Sequence, residues 1–150
     1  VVAHFHYVLI GGTMFSFIAG VYYWYPKMTG KMMNEKLGIA HFAATFITFN
    51  AAFYPMHNVG ISGMPRRYAT YDSSLTELNQ FISIFAILFG LAQLIFVYNV
   101  FYSYRNGKEA GDNPWNGWSL EWATSSPPPE NSFIEIPTLL DAEEEAKKSE

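Results

Sequence analysis

The amino-acid sequence predicts an all-α membrane protein: three transmembrane helices followed by an irregular, soluble carboxyl-terminal tail. Three observations lead there. No charged residue occurs from Val1 to Pro26, from Leu37 to Pro65, or from Leu78 to Tyr104. Each stretch exceeds the roughly 20 apolar residues that carry a helix across a bilayer core. Period-two alternation with short turns, the mark of a membrane barrel, is missing, so helices are left as the structures that satisfy their own backbone in lipid.

The first span is expected at about 1–25 and ends in Tyr22, Tyr23, Trp24 and Tyr25, the residue types that collect at headgroup depth. The second, about 38–56, carries Phe53 and Tyr54 toward its end, and the third, about 78–104, closes with Tyr98, Tyr102 and Tyr104. Small residues inside the spans (Gly11, Gly12, Gly20, Ala43, Ala44, Gly90, Ala92) allow close helix approach. Lys27, Lys31 and Lys36 follow the first span, and Arg105 and Lys108 follow the third. The positive-inside rule places both groups in the cytoplasm, or in the matrix of an organelle, and turns the 58–77 loop outward.

Residues 105–150 form the expected tail, in contact with the cytoplasmic side. Residues 1–104 hold five basic and three acidic side chains, and 105–150 hold four basic and ten acidic, so the net charge of −4 belongs to the tail. Pro127, Pro128 and Pro129 force extended chain there. Trp115, Trp118 and Trp122 offer surface for docking, and 141–150 is a charged end expected to be disordered. No basic stripe marks a nucleic-acid partner. The absence of cysteine excludes disulfides and thiolate metal sites. The chain starts at Val1, with neither Met nor a charged segment before its first apolar run, and reads as the carboxyl-terminal piece of something longer.

The candidate chemistry begins with His4 and His6. At about 100° per residue, two positions on one helix point roughly 200° apart. One metal cannot be held by both, because that takes spacings such as i, i+4 on one face. Two readings stay open: histidines that hydrogen-bond to neighbouring helices, or ligands of two separate sites. Imidazole is an axial ligand of haem iron. Two irons held this way would lie on the order of 13–15 Å apart, with Phe5 between them. Arg66 and Arg67 follow Gly63-Met64-Pro65, so the backbone turns just before them. Their guanidinium forks match carboxylates, haem propionates included, although lipid phosphate would serve equally. His57 ends the second span on that same outer side and offers either a propionate or water contact or a structural hydrogen bond. His41 lies near the opposite face as a helix-contact residue, and Asn50 and Asn99 are buried amides without an assigned role.

These motifs together resemble those of a known family. Val1-Val2-Ala3-His4-Phe5-His6-Tyr7-Val8-Leu9 resembles the tenth-helix motif of subunit I of the haem-copper oxidases. Gly63-Met64-Pro65-Arg66-Arg67-Tyr68 is similar to that family's arginine-pair loop, and Leu120-Glu121-Trp122 with Ser126-Pro127-Pro128-Pro129 to its carboxyl-terminal signature. The resemblance implies the last three helices of a twelve-helix core. It further implies that His4 is the axial ligand of a high-spin haem iron facing a copper centre, and that His6 is an axial ligand of a low-spin haem. Phe5 would lie on the electron-transfer route, and Arg66 and Arg67 would hold haem propionates with His57 nearby. The haems would be of the haem A type. The implied partners are the rest of subunit I, subunit II with its copper site, subunit III, cytochrome c and lipid.

Tyr7 after the second histidine resembles cytochrome c oxidases more than quinol oxidases, and 108–115 looks bacterial, which implies a bacterial cell membrane with a cytoplasmic carboxyl terminus. The implied activity is proton-pumping reduction of dioxygen to water by cytochrome c. It would require the complete complex, since the copper ligands, the second low-spin ligand and the proton-channel carboxylates belong to helices absent from this chain. A quinol-fed oxidase and a non-catalytic three-helix membrane subunit are the alternatives. Packing alone does not predict a histidine pair and an arginine pair on one side of the membrane.

Overall fold

A computed structural model of the chain describes residues 1–133. The stretch 141–150, expected to be disordered, lies outside the described residues. The described residues are helical and contain no β-strand, only an isolated bridge between Lys31 and Glu109. Three helices are long and apolar enough to cross a membrane: Val2–Thr29, Glu35–Ile61 and Ser73–Asn106. Each runs beyond its charge-free stretch and ends among polar residues, where water or headgroups can satisfy the unpaired backbone groups of a helix end.

The first helix is not a uniform α-helix. Its opening turn, Val2–His6, is α-helical; Tyr7–Met14 is π-helical; Phe15–Thr29 is α-helical again. The wider π-turns shift the helical register, so the faces set by His4 and His6 do not continue regularly past residue 6. The α-helix resumes where the Ser16 hydroxyl donates to the carbonyl of Gly12 at 2.5 Å. The second helix breaks at Tyr54, between Glu35–Phe53 and Pro55–Ile61. Pro55 removes a backbone donor, which interrupts the helical ladder at that point.

The described chain divides into two compact units, Val1–Ile18 with Glu35–Asn99, and Ala19–Asn34 with the described residues 100–133. In the first unit the core is aromatic. Phe49, Ala52 and Phe53 are buried, and Tyr7, Ile10, Phe15, Met56, Phe85 and Phe89 pack around them. Gly11 sits where a Cβ would lie 3.7 Å from the Phe49 ring, so the first and second helices come close there. Lipid tails are as apolar as these side chains, so the gain comes from van der Waals fit rather than from excluding water. Apolar side chains such as Phe17, Ile47 and Ile87 remain exposed, as lipid or further helices require.

A polar bridge joins the second and third helices of this unit. The buried His41 pairs its Nε2 with the Gln93 side-chain oxygen at 3.2 Å, and the Gln93 amide donates to the Thr45 hydroxyl at 3.1 Å. Because the Gln93 oxygen can only accept, His41 Nε2 carries the proton. Such interhelical hydrogen bonds contribute about 0.6–2 kcal/mol each in a bilayer. The third helix is entered through a 3-10 turn at Ser73–Leu75. Asp72 caps this turn by accepting from the Ser74 N–H at 2.9 Å, and the Ser74 hydrogen bonds hold its carboxyl below the ordinary range.

In the second unit the tail folds onto the end of the first helix. Lys27 marks a cytoplasmic loop in the sequence, yet here it is 7% exposed. Its ammonium donates to the carbonyls of Asp112 (3.0 Å), Thr124 (2.6 Å) and Ser125 (3.4 Å), and lies 5.1 Å from the centre of the Trp122 ring. An ammonium has three N–H donors, and all three are matched. Trp122 is 2% exposed and donates from its indole to the Tyr23 hydroxyl at 2.8 Å. This corrects the expectation that Trp122 offers docking surface: it is the buried core of the tail. Gly117 is required beside it, because a Cβ there would stand 2.6 Å from the indole.

Candidate functional site

Val2–His6 packs against Pro55–Ile61, so the histidine-bearing turn meets the end of the second span. The two histidines differ in environment. The His6 ring is half-buried, its Nδ1 is 2.8 Å from the carbonyl of Val2, and it stacks on Phe53 at 4.7 Å with planes 16° apart. A carbonyl cannot donate, so Nδ1 carries the proton and Nε2 keeps its lone pair. That is the arrangement of a metal-binding imidazole, whose second nitrogen is fixed on a backbone carbonyl or carboxylate. His4 is exposed on another face and has no hydrogen-bond partner among the described residues. The two imidazoles thus lie on different faces, so the turn does not bring them together on one metal. Among the described residues no group of three or more His, Cys, Asp or Glu could hold a metal ion.

The surrounding contacts fix the turn. The Phe5 and His6 rings lie 4.3 Å apart. The Tyr7 hydroxyl donates to the Asn50 side-chain oxygen at 2.8 Å, and the Asn50 amide donates to the carbonyl of Phe46 at 2.8 Å. Asn50, an amide without a role in the sequence, thus moors the residue that follows His6. Phe53, read as an interfacial aromatic, is a buried platform under the His6 ring. The residue types were visible in the sequence, but a mooring across 43 positions leaves no local signal.

His57 lies 5.9 Å from the Tyr7 ring, and its Nδ1 donates to the carbonyl of Tyr54 at 3.1 Å. It therefore shares the Tyr7 neighbourhood, with its Nδ1 committed to the backbone. Arg66 and Arg67 are exposed in the loop that follows Pro55–Ile61. The helix end that leads to them is a Schellman cap. Gly63 takes φ 91°, its N–H donates to Gly60 at 3.1 Å, and the Met64 N–H donates to Val59 at 3.2 Å. Pro65 then ends any helical continuation. Arg67 itself adopts φ 67°, a left-handed conformation that is uncommon for a side-chain-bearing residue and is found where a site is held in place. The histidine turn packs on Pro55–Ile61, and the arginine loop follows directly from the end of that same segment.

Three membrane-length helices, with a histidine-bearing turn braced by aromatic rings and an arginine loop beyond, define an integral membrane protein. Residues 1–112 match the family described as cytochrome c and quinol oxidase polypeptide I, and the chain belongs to that family. Its relatives include the cytochrome c oxidase subunit 1 of Thermostichus vulcanus, 48% identical over 139 residues, covering 93% of this chain and 25% of the relative. That of Corynebacterium diphtheriae is 51% identical over 143 residues, and that of Synechocystis sp. is 50% identical over 139, each again covering 93% of this chain and 25% of the relative. The chain thus spans about a quarter of the length of the curated relatives it matches.

Proposed function

We propose that this chain supplies the haem-ligating helix of the catalytic subunit of a proton-pumping terminal oxidase that reduces dioxygen with electrons from cytochrome c. The observation that carries the reading is the state of the two imidazoles. His6 has its Nδ1 proton committed to the Val2 carbonyl at 2.8 Å and its Nε2 open, while His4 is exposed on a different face. His6 would hold the iron of a low-spin haem and His4 that of a high-spin haem, with Phe5 between them. Bound there, the haems, of the haem A type, supply electron transfer and, with a copper centre ligated by residues outside this chain, dioxygen reduction.

The chain's own residues bind, orient and neutralise. Phe53 and the Val2 carbonyl fix the plane of the His6 ring, and Asn50 fixes Tyr7 beside it. Arg66 and Arg67 would meet propionate carboxylates as charge-assisted donors, with His57 as a further donor near Tyr7. The rest of subunit I, subunit II with its copper site and subunit III complete the enzyme, which works only as that complex. Its place is the bacterial cell membrane, with the tail in the cytoplasm. The relatives named cytochrome c oxidase, at about half identity, favour cytochrome c over quinol as the donor.

Optical spectra of the complete oxidase carrying His4→Ala or His6→Ala test the assignment. The expected result is loss of the high-spin signal alone in the first variant and of the low-spin signal alone in the second. Loss of the same haem in both would overturn the two-site reading.

A further inference from the structure

The function proposed above leaves the tail's tryptophans unused, and the structure separates their roles. Trp122 is buried in the core of the tail, whereas Trp118 is 77% exposed and Leu120 49% exposed. The segment that displays them is held on both sides. Before it, the Asn113 side chain clasps Gly117 twice, accepting from the Gly117 N–H at 2.8 Å and donating to its carbonyl at 2.9 Å. After it, Trp122 is fixed by Tyr23 and by the Lys27 ammonium. A large aromatic ring held mostly exposed on a braced loop gains free energy when an apolar surface covers it.

Where this loop sits follows from what it is tied to. The Trp115 indole donates to the carbonyl of Tyr23 at 2.9 Å and stacks on the Tyr23 ring with planes 12° apart. Tyr23 and Trp24 belong to the aromatic end of a membrane-long helix, at the depth where Trp and Tyr meet headgroups. Three residues of chain reach at most about 10 Å, and the headgroup region on one side of a bilayer is roughly 5–8 Å thick. That reach is little more than the thickness of the headgroup layer, so Trp118 stays close to the membrane surface. The exposed ring continues an aromatic belt that already begins on the helix.

We propose that Trp118 and Leu120 form an interfacial anchor that seats the 113–122 segment in the lipid headgroup layer beside the end of the first helix. The occupant of this apolar surface is the bilayer, not a protein. The complete oxidase complex, carrying a nitroxide at Trp118→Cys and separately at Leu120→Cys, is reconstituted in vesicles of phosphatidylethanolamine and phosphatidylglycerol. Power saturation is then read with oxygen, which partitions into lipid, and with a water-soluble nickel chelate. The expected result at both positions is retained collision with oxygen and collision with the chelate reduced below that of a label in free water. Free collision with the chelate would place the segment in water. Loss of collision with both would place it under another part of the protein. Either outcome overturns the proposal. Because Trp118 is mostly exposed, its replacement removes little packing from the tail, and Leu120 gives an independent reading.

Discussion

At the scale of single residues, protonation and charge decide what the site can do. The Val2 carbonyl selects the His6 tautomer, and the Phe53 ring sets the angle of its plane; the spacing of the two histidines says nothing about either. On the proposed reading the arginines act as charged donors to haem propionates. Both are exposed, and Arg67 is held at φ 67°, so replacing either with Gln should leave the helices intact. A positive charge near a haem opposes the ferric state, which carries the greater positive charge, and its removal stabilises that state. With an effective dielectric of about 20, such a charge contributes on the order of 1–2 kcal/mol. Redox titration of the complete oxidase carrying Arg66→Gln or Arg67→Gln should therefore show haem retained and its potential lowered by tens of millivolts. An unchanged or raised potential would separate these arginines from the propionates.

At the scale of elements, the spans were legible because charge-free runs of this length have few other uses. The turn before the arginines was legible too, from Gly63-Met64-Pro65, whereas the helix running on to Ile61 and its capping bonds were not. The π-helical stretch Tyr7–Met14 was not legible, because nothing in its residue types separates it from an α-helix in lipid. Nor was the mooring of Tyr7 on Asn50, which pairs residues far apart in sequence. The cap carries a prediction of its own. Gly63 holds φ 91°, where its N–H and that of Met64 satisfy two helix carbonyls. An alanine there is strained by about 1–2 kcal/mol. Gly63→Ala should raise amide exchange at positions 63 and 64 roughly 5- to 30-fold through local opening, while the exchange of Glu35–Phe53 stays as it was. Equal exchange in both proteins would mean that the turn does not depend on a glycine.

At the scale of the whole molecule, the sequence separated an apolar part from an acidic tail, and the structure joins the start of that tail to the end of the first helix. The join was not legible because its acceptors are backbone carbonyls at 112, 124 and 125, groups that every residue has. Lysine at 27 was visible, but its count toward membrane orientation hid its use as a buried donor. Tryptophan at 122 likewise read as a docking surface until its indole was found bonded to Tyr23. Glu121 links this join to acid through its contacts with Trp24 and Lys27, the smaller of the causes that lower its carboxyl. Its own backbone N–H, then the Ser119 hydroxyl, with smaller help from Trp24 and Lys27, holds its carboxyl below the ordinary range. A carboxyl lowered on folding stabilises the folded form at every pH above its unfolded value of about 4.3. That contribution is lost as pH falls through the lowered folded value. Docking of the tail should accordingly be insensitive to pH from neutrality down to about 4.3 and should weaken below it. Pepsin cleavage of the tail in the intact complex, followed from about pH 5 to about pH 2 and corrected for the enzyme's own profile, reads this directly. The native chain should be cleaved progressively faster as pH falls, and Glu121→Gln, which carries no titrating group there, should be cleaved at a raised rate with a flatter profile. The same slope in both proteins would remove Glu121 from the join.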